Sequence, residues 1–235
     1  MRIKVNLHLW SLKQPASVTR DLFSALSADE RERAAHFATD TLRERFVVAR
    51  GFMRHRLAAN SGDDPSSLVF AYGTHGKPAL ESGAIFNLSH TDHLACLATL
   101  DGAPEVAAAI SLGVDIEAVG LVDAGLERHA LSQTEITRYK ALAPDEQRSV
   151  FFRAWTRKEA IMKACGLGLS VSPRSITVDL EHAERSAVLS LPSGLPDPSQ
   201  WFLSGFAPQE GTLGAVALTT PADAQVDVRA HSWCP

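Results

Sequence analysis

The stretch LSADERERAAHFATDTLRERFVVARGFMRHRLAA at residues 26–59 recurs in altered form as LSQTEITRYKALAPDEQRSVFFRAWTRKEAIMKA at residues 131–164. The two stretches align without a gap at an offset of 105 and share ten identical residues among 34 positions. Both open on Ser-x-x-Glu, the pattern of a capping box that begins a helix. Each then continues into a second, longer helix. A chance match between alanine-rich helices is the alternative to a true internal repeat.

Apolar and alternating segments on both sides of these helices predict β-strands. The predicted strands are residues 2–10, 68–72, 85–88, 94–99, 112–117, 175–180, 186–191, 201–206 and 213–219. Together with the repeat, they predict an α+β fold in which two similar α+β halves form an intramolecular pseudo-dimer. We expect the halves to be residues 1–105 and 106–235, with a boundary at 103–105 and a tail over the last dozen residues. Ligand sites favour the seam between such halves.

The composition of the 235-residue chain argues against several classes of protein. Apolar residues make up 45%, enough for a sizeable core without disulfides, and the net charge of -4 lacks the basic bias of nucleic-acid binders. The cysteines, Cys96, Cys165 and Cys234, are too scattered for a disulfide framework. Neither a signal peptide nor a stretch of about 18 apolar residues appears. We expect a cytoplasmic monomer that binds neither nucleic acid nor a membrane.

An acidic pair follows the predicted boundary, in Leu112-Gly-Val-Asp-Ile-Glu117. Asp115 and Glu117 are two positions apart on a predicted strand, so both side chains point to the same face. Like charges side by side cost energy unless a cation joins them. Carboxylate oxygens with no nearby Cys or His suit a hard cation, Mg²⁺ rather than Zn²⁺. A solvated strand end is the alternative interpretation.

A second charged segment is WTRKEAIMK at residues 155–163. Trp155, Glu159 and Lys163 are spaced by four residues and share one helical face, and Lys158 lies beside them. An acid can take a proton or a metal, and lysines can hold phosphate oxygens. The alternative is an amphipathic helix with an ordinary Glu–Lys pair on its surface.

The first half carries the basic groups that an anionic ligand would need. Its long helix contains five arginines, most of which we expect to be solvated: Arg43, Arg45, Arg50, Arg54 and Arg56. A loop, Gly76-Lys-Pro78, holds a lysine beside a stiff proline, and Asn87-Leu-Ser-His90 follows an apolar strand. The remaining histidines show no spacing that indicates a metal site.

Taken together, these segments resemble the 4′-phosphopantetheinyl transferases of the surfactin-synthetase-activator type. The matching stretches are GKP at 76–78, FNLSH at 86–90, GVDIE at 113–117 and WTRKEAIMK at 155–163. They occur in the family's order at similar separations and cover most of residues 26–170. The start of the first repeat and the helix around Arg45 are also similar to that family. The family's fold of two similar α+β halves agrees with the repeat.

The resemblance implies a role for each matched residue. The second half would hold Mg²⁺ through Asp115, Glu117 and Glu159, with Glu159 also activating the incoming serine, directly or through water. Coenzyme A would be contacted near its phosphates by Asp115, Lys158 and Lys163, the two lysines assisting catalysis. The first half would bind the nucleotide end through Lys77, Pro78, Ser89 and His90, and the 3′-phosphate through Arg33, Arg45 and Arg50. Glu30 stands where some members carry a lysine, which departs from the family's 3′-phosphate cluster.

The implied reaction transfers the 4′-phosphopantetheine group from coenzyme A to a serine of an acyl or peptidyl carrier protein and releases 3′,5′-ADP. The carrier protein could serve fatty-acid, polyketide or non-ribosomal peptide biosynthesis. Two alternatives use the same residues differently. One is a catalytically inactive module that binds coenzyme A or a carrier protein, and the other is a Mg²⁺-dependent phosphohydrolase.

Overall fold

The computed structural model describes residues 1–101, 110–123, 125–221 and 223–232. Six α-helices within these ranges are α1 (Ala16–Ser24), α2 (Ala28–Ala35), α3 (Asp40–Ser61), α4 (Leu126–Ala130), α5 (Gln133–Ala141) and α6 (Pro144–Cys165). Short 3₁₀ turns follow both long helices, at Pro65–Ser67, Gly168–Ser170 and Pro173–Ser175, and a further one is Pro198–Gln200. None of the described helices has the length and hydropathy needed to cross a bilayer.

Twelve strands complete the described secondary structure. They are β1 (Arg2–Ser11), β2 (Phe70–Tyr72), β3 (Pro78–Leu80), β4 (Phe86–His90), β5 (Leu94–Asp101), β6 (Leu112–Ala118), β7 (Thr177–Val178), β8 (Arg185–Ser186), β9 (Val188–Ser190), β10 (Trp201–Gln209), β11 (Thr212–Thr219) and β12 (Gln225–Ser232). One four-stranded sheet has the order β12-β1-β5-β4, and the other has the order β6-β11-β10-β8. The fold is therefore α+β, as the sequence predicts.

The two sheets pack face to face, and a long helix covers the outer face of each. Alternation along the strands decides this layering, because successive side chains point to opposite faces. In β5, Cys96 and Ala98 face the other sheet, whereas Ala95 and Leu97 pack beneath α1 and α3. In β11, Val216 and Leu218 join the core between the sheets, whereas Ala215 and Ala217 pack against α6.

Both predicted capping boxes are confirmed. The backbone N–H of Ser27 donates to Glu30 at the start of α2, and that of Ser132 donates to Glu135 at the start of α5. Each short helix is followed by a long helix of 22 residues, α3 or α6, whose starts lie about one repeat offset apart. The approximate two-fold superposition of the two halves stays a prediction.

The same glutamates also form buried ion pairs that tie each short helix to its long partner. Glu30 pairs with Arg54 of α3, and Glu135 pairs with Lys158 of α6, both at 2.5 Å. Each cation also donates to a proline carbonyl in a 3₁₀ turn that follows the long helix. The glutamate thus caps the short helix and holds the long one, and its partner cation holds the 3₁₀ turn, so the Ser-x-x-Glu pattern has a tertiary role in both repeats.

The structure corrects the expected tail over the last dozen residues. Residues Gln225–Ser232 form β12, which pairs in parallel with β1 from Arg2↔Gln225 to Leu9↔Ser232. Its sequence, QVDVRAHS, has two half-buried valines and otherwise mostly polar side chains, as suits an edge strand. The predicted boundary at 103–105 and Cys234 lie outside the described residues, whereas Cys96 and Cys165 are free thiols.

Loss of the second ion pair should weaken the fold. Lys158→Ala leaves the Glu135 carboxylate buried without its cation, so we expect the free energy of unfolding to fall by about 3–5 kcal/mol. Urea denaturation followed by circular dichroism measures this change. The matched control is Lys140→Ala on the exposed face of α5, which should change stability by less than about 0.5 kcal/mol. Equal small losses in both variants would contradict the anchoring role of Glu135.

Candidate active site

The edge strands β4 and β6 of the two sheets meet through side chains. The Val114 N–H donates to the Asn87 side-chain oxygen at 2.8 Å, and the Ile116 N–H donates to Ser89 Oγ at 3.3 Å. Both donors are buried backbone groups, which need partners. Asn87 and Ser89 are two positions apart on β4, so they reach alternate amides of β6. These two hydrogen bonds bring the end of β4 beside Asp115.

Close packing of α6 on β6 depends on Gly113. A Cβ atom at this position would lie 2.0 Å from the Ala160 carbonyl oxygen and 2.4 Å from the Ala164 amide nitrogen. Such distances are impossible without displacing helix backbone, so only glycine permits this approach. The alternation of β6 then directs Asp115, two positions on, towards the same helix.

These two contacts create a cavity of about 440 Å³, which we call the acidic cavity. Its lining comes from β4, β6 and α6: Leu88, Ser89, His90, Asp115, Glu117, Trp155, Glu159 and Lys163. Three carboxylates here face one ammonium group. The three residues predicted to hold a metal therefore line one cavity, and together with Lys163 they leave a formal surplus of two negative charges.

Asp115 is the centre of this charge cluster. Its side chain is 4% exposed, and its Oδ1 accepts from Lys163 Nζ at 2.6 Å and from Ser89 Oγ at 3.0 Å. Its Oδ2 is buried without a hydrogen-bond partner among the described residues. An unpaired buried carboxylate oxygen is costly, so this atom is available to a cation.

The other two carboxylates are perturbed in the same direction. Burial raises the pKa of Glu159, and the charge of Asp115 raises it further. Burial and then Asp115 also raise the pKa of Glu117, although its Oε1 accepts a hydrogen bond from Trp155 Nε1 at 3.2 Å. Both shifts indicate that Lys163 compensates the negative charge only in part.

The donor chemistry of the acidic cavity fits a hard divalent cation. Carboxylate oxygens are the ligands that Mg²⁺ prefers, and one of them has no other partner. As the side chains stand, no three His, Cys, Asp or Glu groups in the described part of the chain converge closely enough to hold a metal. Binding would therefore require side-chain rearrangement around Asp115.

A second cavity of about 400 Å³, the basic cavity, adjoins the first and shares Leu88 and His90 with it. It is lined by α2, the loop between α2 and α3, α3, β3, β4 and the turn after β4: Arg33, Phe37, Leu42, Arg45, Phe46, Ala49, Arg50, Pro78, Asn87, Leu88, His90, Thr91 and Asp92. The three arginines predicted for a phosphate thus meet in one place, together with Pro78 and His90.

Three predicted site residues lie elsewhere than expected. Lys158 is fully buried on the far side of α6, where its Nζ donates to Glu135 and to two backbone carbonyls, so it lines neither cavity. Lys77 Nζ donates to the carbonyls of Leu112 and Ala164, and burial lowers its pKa to about 8. Ser89 lines the acidic cavity instead of the basic one.

Sequence reasoning gave Asn87 no role, although it stands in a matched motif. The signal that could have indicated one is its spacing from Ser89, since two small polar side chains on one face of an edge strand can bond a neighbouring backbone. Asp92, which pairs with Arg45 at 2.7 Å, was also missed. That contact joins residues 47 positions apart and has no local sequence signal.

The chain is similar in sequence to several 4′-phosphopantetheinyl transferases. The model of the 4′-phosphopantetheinyl transferase superfamily matches residues 111–218, which include every carboxylate of the acidic cavity. The 4′-phosphopantetheinyl transferase HetI of Nostoc sp. is 33% identical over 221 residues, covering 90% of this chain and 87% of the relative. The transferase Sfp of Bacillus subtilis is 28% identical over 171 residues, 72% of each chain. AcpT of Salmonella typhimurium is 39% identical over 100 residues, 40% of this chain and 48% of its own.

A methyl group at position 113 should disturb the packing that brings α6 to β6. Gly113→Ala forces the helix backbone away from the strand, so we expect a loss of about 1–3 kcal/mol or more in the free energy of unfolding. Thermal and urea unfolding measure it. Gly120→Ala is the matched control, because a Cβ there meets nothing within 4 Å. If both variants unfold at the same denaturant concentration, the close approach at Gly113 is not needed.

Proposed function

The chain belongs to the 4′-phosphopantetheinyl transferase superfamily, and from that premise we propose that it transfers the 4′-phosphopantetheine group of coenzyme A to a serine of an acyl or peptidyl carrier protein. The co-product is 3′,5′-ADP, and the cofactor is Mg²⁺. The observation that carries the proposal is the pair of adjoining cavities of opposite charge. Coenzyme A has a 3′-phosphate at one end and a pyrophosphate further along, and the two cavities suit these groups in that order.

The basic cavity would take the nucleotide end. Arg33 and Arg45 offer guanidinium groups, which bind phosphates through paired N–H donors. His90 and Leu88 line both cavities and would contact the ligand where it passes from one to the other. The pyrophosphate would then lie beside Lys163, whose ammonium can donate to its oxygens.

The acidic cavity would hold Mg²⁺ through Asp115, Glu117 and Glu159. Bound there, the ion would neutralise pyrophosphate charge as a Lewis acid. Ser89 supports Asp115 by donating to Oδ1, and it accepts a hydrogen bond from Lys163 Nζ at 2.9 Å. This hydroxyl therefore holds the carboxylate and the ammonium in a fixed relation.

Glu159 is the proposed general base. The carrier-protein serine attacks the β-phosphorus of coenzyme A, the bond from that phosphorus to the bridging oxygen breaks, and 3′,5′-ADP leaves. The serine proton passes to the Glu159 carboxylate, directly or through water. Burial and the charge of Asp115 raise the pKa of Glu159 when no metal is bound, and a bound Mg²⁺ would lower it again. Lys163 stabilises the negative charge that grows on the phosphate oxygens.

Intact-mass spectrometry of apo carrier proteins incubated with the chain, coenzyme A and Mg²⁺ tests the proposal. A mass gain of one phosphopantetheine group supports it. Consumption of coenzyme A with no mass gain would instead identify a phosphohydrolase. Binding of coenzyme A without either reaction would identify an inactive module.

Removal of the charge at Asp115 should weaken Mg²⁺ binding and remove most of the activity. Asp115→Asn keeps the size of the side chain, but we expect transfer to fall by about 10²-fold or more, because metal charge stabilisation is worth several kcal/mol. Transfer rates as a function of Mg²⁺ concentration measure the effect. Asp123→Asn, an exposed position in the same half, should leave the Mg²⁺ dependence unchanged. An Asp115→Asn variant with a normal Mg²⁺ dependence would remove Asp115 from the ligand set.

Replacement of the base should separate catalysis from stability. Glu159→Gln should still bind coenzyme A, but single-turnover transfer should fall by about 10²-fold or more, the usual scale for a positioned base. If Glu159 merely paired with a lysine on the helix surface, the rate would change less than threefold. Glu184→Gln, at an exposed position, is the control.

The same variant should be at least as stable as the wild type when metal is removed by a chelator. The folded-state pKa of Glu159 lies above its ordinary value of 4.5, so the ionised group costs stability near neutral pH. Glutamine removes this cost, and the advantage should disappear as the pH falls towards 4.5. A variant less stable than the wild type near neutral pH would contradict the surplus of negative charge.

A further inference from the structure

The three arginines of the basic cavity are held in different ways. Arg50 is the most constrained, because it pairs at 2.5 Å with Glu30, whose side chain is 3% exposed, and donates to Tyr72 at 2.8 Å. Glu30 itself is shared with Arg54 inside the fold. A ligand phosphate could take Arg50 only by leaving Glu30 buried with less compensation, which is costly.

Arg33 and Arg45 are more accessible to a phosphate. The Arg33 guanidinium lies 5.3 Å from the centre of the Phe46 ring, and within the described ranges it forms no ion pair. Arg45 does have an ion-pair partner, Asp92, at 2.7 Å. The Asp92 side chain is 74% exposed, compared with 25% for Arg45. Asp92 can therefore turn into water without leaving a buried charge.

Asp92 lies in a turn whose backbone is fixed by its neighbour. The Thr91 hydroxyl accepts hydrogen bonds from the His93 and Leu94 N–H groups, and the Thr91 N–H donates to the Leu94 carbonyl. The turn keeps the Asp92 backbone at the edge of the basic cavity whichever way the side chain points. A phosphate bound to Arg45 would consequently have a carboxylate close by.

From these contacts we propose that Asp92 is a specificity-determining residue, which competes with the 3′-phosphate of the ligand for Arg45. The inference rests on the proposed function, since it takes the 3′-phosphate to bind in the basic cavity. Asp92 would weaken the binding of every ligand that carries this phosphate and leave ligands without it unaffected. Coenzyme A and 3′,5′-ADP both carry it, so the same carboxylate would also favour release of the co-product.

Calorimetric titration of three ligands tests the proposal: coenzyme A, dephospho-coenzyme A and 3′,5′-ADP. An exposed ion pair is worth a factor of up to about five in an equilibrium constant, and repulsion between Asp92 and a bound dianion adds to it. Asp92→Asn should therefore tighten coenzyme A and 3′,5′-ADP by a common factor of about three to ten. Dephospho-coenzyme A should bind as it does to the wild type.

Two further variants sharpen this test. Asp40→Asn removes an equally exposed carboxylate that pairs with Arg43 at 3.0 Å and does not line the basic cavity, so it should change all three affinities by less than twofold. Arg45→Gln should weaken the two 3′-phosphorylated ligands. Adding Asp92→Asn to Arg45→Gln should then produce a smaller gain than Asp92→Asn produces alone, because only the repulsion between Asp92 and the phosphate remains to be removed. High salt should reduce the effect of Asp92→Asn, because screening weakens exposed charges.

An equal gain for dephospho-coenzyme A, or a change no larger than that of Asp40→Asn, would overturn the role of Asp92. So would a full gain from Asp92→Asn in the absence of Arg45. Failure of the proposed function gives a different result, because wild-type protein would then not transfer phosphopantetheine from coenzyme A to any apo carrier protein.

Discussion

The meeting of two sheet edges through side chains is the constraint on which the candidate site depends. If β4 and β6 were joined by an ordinary backbone ladder, the two sheets would be one, and no cavity would open between them. Because Asn87 and Ser89 supply the acceptors instead, two amides of β6 are satisfied while the strands stay further apart. Leu88 and His90, on the alternate positions of β4, are left to line both cavities.

The charge distribution of the site follows from the same arrangement. Asp115 and Glu117 share the face of β6 that Gly113 opens to α6, so the acids of the strand and Glu159 of the helix share one small space. Burial and then the charge of Asp115 raise the pKa values of Glu117 and Glu159, so ionisation of these two side chains is unfavourable in the folded protein. Stability is thereby reduced at the point where a cation and a phosphate are proposed to bind, a common compromise in enzymes.

Features encoded by neighbouring residues were predictable, and features that depend on distant contacts were not. The capping boxes at Ser27 and Ser132 and the shared face of Asp115 and Glu117 follow from helix and strand periods, and the structure agrees with them. Lys158 was misplaced because adjacent positions on a helix point about 100° apart, so it faces Glu135 while Glu159 faces the cavity.

Long-range pairing explains the remaining differences. Lys77 was expected at the nucleotide end, but its long side chain reaches backbone carbonyls of β6 and α6, which no local pattern indicates. The β12 strand was missed because its pairing with β1 is made by backbone groups more than 200 residues apart. Whether residues 225–232 form a tail or an edge strand can be decided only once the fold is known.

The parallel contact between β1 and β12 also determines when the outer edge of β1 can be covered during protein synthesis. Residues 225–232, the strand that covers the outer edge of residues 2–11, are synthesised more than 200 residues after that edge. At a synthesis rate of about 5–20 residues per second, the outer edge of β1 remains unpaired for roughly 10–45 seconds. An uncovered strand edge can pair with another chain, so the protein is exposed to aggregation during this interval. The few charged side chains of residues 225–232 then form the rim of the finished sheet, where charge discourages further strand addition.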